Sequence, residues 1–173
     1  AMERNLTLVS GTDCHKPLFL TTDYANGALR PVTLIFARER SLDGVREALD
    51  ARRTAVFADG MVYGREEVLL PLMKALFEVS DVKFSEKKMT FRIVNRSSIP
   101  LTLRKAAGSE KIVFPRDMII RPFEEMTMTI YGLDNKKPIG LDRFDVNFQV
   151  LNFFVDAGKP LVYSLHFEKP AKR

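Results

Sequence analysis

Asp13 and His15 stand two residues apart at the end of the run NLTLVSGTDCH, residues 5–15. A carboxylate oxygen and an imidazole nitrogen are hard-to-borderline donors. Together they suit zinc, manganese or iron. If the segment is extended, residues i and i+2 project to one side and Cys14 projects to the other. Asp13 and His15 are therefore the candidate metal ligands, and Cys14 is not counted with them. The same spacing also fits a capping acid followed by a surface histidine. The chain has only two histidines, His15 and His166, and a catalytic zinc normally takes three protein ligands. A complete centre needs donors from elsewhere.

Other groupings carry less chemistry. His166 falls beside Ser164 and Glu168 on the wetter side of a late alternating stretch, as a surface histidine does. Asp145, Asn147 and Gln149 form a polar row on one strand face, read as solvated. Glu66 and Glu67 open a helix, where the dipole favours acids. No glycine-rich stretch matches a phosphate-cradling loop. Cys14, the single cysteine, excludes an internal disulfide.

The elements that must hold Asp13 and His15 alternate in type up to about residue 79. Residues 6–9 read as a short apolar strand. Residues 32–37, VTLIFA, form a nearly continuous apolar run, as in a strand covered on both faces. Ser41 reads as the N-cap of a helix ending near residue 53, with Asp43 in its first turn. Leu42, Val45, Ala48 and Leu49 share one face of it. Residues 54–57 form another strand, Asp59-Gly60 a turn, and residues 65–78 a second helix that Pro71 should kink or delay.

Beyond residue 80 the apolar period changes from about 3.6 to 2. Met89, Phe91 and Ile93 alternate with polar neighbours; so do Phe144, Val146, Phe148 and Val150, and Leu161, Leu165 and Phe167. Turn residues recur between such stretches. The pattern predicts an antiparallel, immunoglobulin-like sandwich of about seven strands. The fold class is thus α+β: an α/β segment over residues 1–79, then a β-sandwich over residues 80–173.

The length of 173 residues supports a core without staples. The net charge is +5, but basic residues are scattered among acids and make no nucleic-acid stripe. No run approaches the 18 or so apolar residues of a membrane span, and no signal peptide is visible.

The order strand, GTDCH, proline-containing loop, RPVTLIFA and SLDGVREALDARRT resembles the last part of a PHP domain. This polymerase and histidinol phosphatase superfamily contains metal-dependent phosphoesterases. Its final ligand motif is an Asp-x-His after a late strand of a distorted α/β barrel, matching Asp13 and His15. The segment REALDARRT, residues 46–54, resembles the stretch downstream of that motif in many members. The likeness spans roughly residues 4–64.

The resemblance implies phosphate ester hydrolysis, with zinc or manganese as divalent metal. It also implies that the remaining ligands lie upstream, in the rest of a parent barrel. The present chain is then a C-terminal part, inactive by itself, with an appended sandwich. Exported or periplasmic members are similar in style. The competing reading is a non-enzymatic sandwich that docks a partner or scaffolds a barrel. A barrel strand at residues 32–37 without its neighbour leaves an open edge, so self-association into a homo-oligomer is expected.

Overall fold

The computed structural model describes residues 4–17, 20, 22–23, 29–85, 87–133 and 143–169. They form two compact units. The first holds Ala1–Pro71 and Asn152–Pro160; the second holds Leu72–Leu151 and Leu161–Arg173.

In the first unit, β1 (Val32–Ile35) pairs antiparallel with β2 (Thr54–Ala58), and β2 with β3 (Met61–Gly64). Asp59 and Gly60 join β2 to β3, both at positive φ (50° and 77°). A two-residue hairpin turn of this kind matches the right-handed twist of its strands. Residues 153–154 then lie parallel to β3, Phe153 opposite Val62 and Phe154 opposite Tyr63. These residues come from the far end of β10 (Arg143–Asp156), a return that no local pattern announces.

α1 (Leu42–Asp50) starts as expected: the Ser41 hydroxyl accepts from the Gly44 amide at 2.9 Å. Leu42, expected to face inward, is instead 75% exposed; Gly44 and Ala48 are the buried residues. α2 (Glu66–Leu76) carries Pro71 inside it without ending there. Leu69 is fully buried and lies against Gly64, where a Cβ would come within 2.8 Å of the leucine methyl. Ala55, Val62 and Phe153 complete this core.

The expected strand at 6–9 does not form; residues 6–15 have no regular structure, and Leu6 and Val9 are 56% and 68% exposed. Side chains rather than a ladder satisfy part of this backbone. β1 also departs from expectation. It is only partly buried, and Ile35 is 39% exposed.

The second unit is a sandwich. One sheet has the order β4 (Phe77–Phe84), β5 (Lys88–Asn95), β9 (Glu125–Gly132), β7 (Ile112–Val113). The other pairs β10 with β6 (Leu101–Lys105), β6 with β8 (Asp117–Ile120), and β10 with β11 (Lys159–Glu168). Eight strands among the described residues thus replace the seven or so expected. β4 begins directly after α2, at Phe77, and runs across residues 79 and 80. Its alternation is broken by an irregularity between Ser80 and Lys83, with Asp81 at positive φ, which hides it in the sequence.

The inward faces meet through aromatic rings. Phe148 of β10 lies 6.2 Å from Phe77 and 5.6 Å from Phe114, and Phe91 of β5 lies 4.9 Å from Phe167 of β11. Phe148, Ile93, Leu101, Leu103, Ile130 and Val146 are fully buried. Each large apolar side chain so buried contributes about 1.5–3 kcal/mol.

One buried polar group ties the loops at one end. Asn95, 0% exposed, donates through Nδ2 to the carbonyls of Ile99, Ile120 and Arg121 at 2.8, 3.1 and 3.1 Å. Its Oδ1 accepts from the amide and hydroxyl of Ser97. Removing the amide strands the buried Ile120 carbonyl and leaves two part-buried carbonyls without this donor. Asn95→Ala is expected to lose about 2–4 kcal/mol in urea unfolding, with an unchanged m-value.

Candidate metal centre

The segment carrying Asp13 and His15 is held at three points. Asn5, at φ 55°, accepts through its carbonyl from Arg52 Nε (2.7 Å) and through its side-chain oxygen from an Arg65 guanidinium nitrogen (2.8 Å). The Thr7 hydroxyl donates to the carbonyl of Leu49 at 2.7 Å. The Thr33 hydroxyl accepts from the Ser10 amide at 2.7 Å and donates to the Ser10 carbonyl at 3.0 Å. Thr33 lies on β1 and Leu49 on α1, so those elements fix where residues 11–15 emerge. At the end of α1, Arg53 clamps Glu47 and donates through Nε to the Phe36 carbonyl at 3.1 Å. The guanidinium holds the Glu47 carboxyl below its ordinary range.

Asp13 and His15 do come together: Asp13 Oδ1 lies 3.4 Å from His15 Nε2. The route is not the expected one. Asp13 sits in the left-handed region at φ 47°, so strict alternation fails at this residue. Thr12, Asp13, Cys14, His15, Lys16, Thr22 and Pro31 all line one open cavity of about 460 Å³. The Cys14 thiol donates to the Lys16 carbonyl at 2.9 Å. The Asp13 and His15 side chains are 97% and 89% exposed. Among the described residues no group of three or more His, Cys, Asp or Glu could hold a metal ion.

His166 is exposed, as expected, with its Nδ1 2.7 Å from Asp145 Oδ1, while Arg143 pairs with Glu168 nearby. In that polar row Asp145 faces His166, while Asn147 donates through Nδ2 to the Ala107 carbonyl at 3.0 Å. The anchors of the 5–15 segment were not legible in sequence, because their partners lie 23 to 60 residues away.

An Ig-like domain family, DUF5001, matches residues 78–166, just over half of the chain. The chain belongs to this Ig-like domain family. The matched residues span β4 to β11. A crystal structure of a two-domain protein from Bacteroides vulgatus ATCC 8482, described as containing a predicted PHP-like metal-dependent phosphoesterase, superposes with a TM-score of 0.88 at 36% identity. The match covers 96% of this chain and 47% of that one, so the chain spans about half the length of this relative. No curated protein matches. Among the described residues no helix is long and apolar enough to cross a membrane.

Thr33→Val removes both hydrogen bonds to Ser10 at nearly constant volume. Amide exchange at Ser10 is expected to speed up by roughly fivefold to tenfold, the equivalent of one net hydrogen bond, with exchange in β5 unchanged.

Proposed function

We propose that this chain is the C-terminal part of a PHP-like metal-dependent phosphoesterase. Residues 1–79 supply the end of its α/β domain and residues 80–173 an Ig-like domain. The observation that carries this reading is the 36% identity over 96% of the chain to a two-domain protein of about twice its length. The likeness therefore extends well beyond the Ig-like domain into the first unit.

Asp13 and His15 are the proposed metal ligands, for zinc or manganese. The donor set fits part of such a site: one carboxylate and one imidazole face a cavity and lie within 3.4 Å of each other. When bound, the metal supplies Lewis acidity and an activated water for phosphate ester hydrolysis. The chain's own residues bind and orient. Asp13 offers a negative oxygen, and His15 offers Nε2 from a segment pinned by Thr33. Lys16 places a cation on the same cavity wall, where a phosphate's charge needs an opposite. The upstream half of the parent supplies the other ligands, so the chain alone is inactive.

Exposed apolar surface supports a missing neighbour. Leu6, Val9, Leu20, Leu29 and Ile35 of the first unit are each at least 39% exposed. β1 is the terminal strand in its sheet order. A second reading rests on the family match: the Ig-like domain is a non-catalytic module that docks or scaffolds.

Two experiments test the proposal. In the full-length parent, metal affinity, read from the metal retained against a competing chelator, is expected to fall at least about tenfold in His15→Ala, since even outer-shell losses at metal sites cost that much. Unchanged metal affinity sinks the ligand assignment. In the isolated chain, calorimetric titration with zinc or manganese is expected to show weak binding, and light scattering a mass that rises with concentration. A monomer at every dilution contradicts the open-edge argument.

A further inference from the structure

The turn between β8 and β9 carries an unexplained side chain. The Glu124 amide donates to the Arg121 carbonyl at 3.2 Å, closing a four-residue turn. Pro122 occupies its second position and Phe123 its third, with Phe123 at φ 57°. A turn with proline second and a left-handed third residue is one where glycine or asparagine belongs. A bulky aromatic residue there is a genuine outlier.

Phe123 gains nothing visible in return, for it is 72% exposed. Nor is the tip loosely held. Asn95 Nδ2 grips the Arg121 carbonyl at 3.1 Å, and the Asn95 amide donates to the Glu124 carbonyl at 3.0 Å. The Arg121 amide donates to the Glu124 carboxylate at 3.0 Å. A fully buried asparagine thus fixes a strained, outward-facing phenylalanine, with the 80% exposed Arg121 beside it. Rigid aromatic and arginine side chains are the usual anchors of interfaces.

We propose that the Pro122–Phe123 tip is a docking knob for the upstream half of the parent protein, seated in an apolar pocket there. This rests on the proposed function. Two observations select that occupant. The match covers only 47% of the two-domain relative, so about half of such a protein lies outside this chain. The tip also belongs to the sandwich end at which the chain enters. Asn95, which holds it, pairs with Phe77, and the adjacent Arg96 amide donates to the Leu76 carbonyl at 2.8 Å.

The test is the sign of one substitution in two proteins. In this chain, Phe123→Gly relieves the backbone strain and is expected to raise the thermal midpoint by about 2–4 °C. In the full-length parent the same change is expected to lower it, because the seated ring is lost. Phe123→Asn, which keeps a preference for the left-handed region, should show the same reversal. A rise in both proteins overturns the proposal, since nothing then covers the ring. No rise in the isolated chain overturns it too, because Phe123 then serves the sandwich itself. Metal affinity separates this from the phosphoesterase reading. It stays unchanged in Phe123→Gly, and its persistence in His15→Ala defeats only the ligand assignment.

Discussion

Phe148 is the side chain around which the sandwich closes. It projects from β10 to meet Phe77 from β4 and Phe114 from the segment after β7, so one ring joins both sheets. Phe77 in turn stands 5.5 Å from Tyr163 of β11, edge to face. Aromatic pairs in such geometry add to area burial and fix register, because each ring has few orientations that fit. The strands around them supply flat aliphatic faces: Met89 and Ile93, Leu101 and Leu103, Met128 and Ile130. Loops at the sandwich end inherit this rigidity through Asn95, whose bonds require the flanking strand ends to stay in place.

The first unit rests on a different constraint, close packing without bulk. Gly64 and Ala55 leave room for Leu69 to sit against the sheet. Gly44 admits the Glu39 carbonyl, which would lie 2.6 Å from any Cβ placed there. Around this small core, polar side chains hold irregular backbone: Thr33 on Ser10, Thr7 on Leu49, Arg52 and Arg65 on Asn5. The Asp13–His15 pair depends on these bonds for its position. Its own side chains are almost wholly exposed, so folding of this unit does not depend on the pair.

Much of the architecture was legible. Period-2 alternation at 89–93, 144–150 and 161–167 located three sandwich strands, because one face of each meets the core and the other water. Ser41 and Asp43 located the start of α1, because helix ends need oxygen acceptors and favour acids. β4 was missed: its irregularity at Ser80–Lys83 breaks the alternation. The strand expected at 6–9 failed for a related reason. An apolar run shows that a segment can pair, not that a partner strand is present.

The sequence by itself determined which residue types are available for chemistry, which segments alternate, and where the Asp-Cys-His segment falls. Local properties such as side-chain period, capping and donor chemistry carry that information. Only the tertiary structure decided that Asp13 and His15 meet through a left-handed aspartate, that Cys14 shares their cavity, and that residues 152–160 return to the first unit. It also decided that a buried asparagine holds Phe123 outward. Each of these depends on backbone dihedrals or on partners far along the chain, which side-chain period and spacing do not encode.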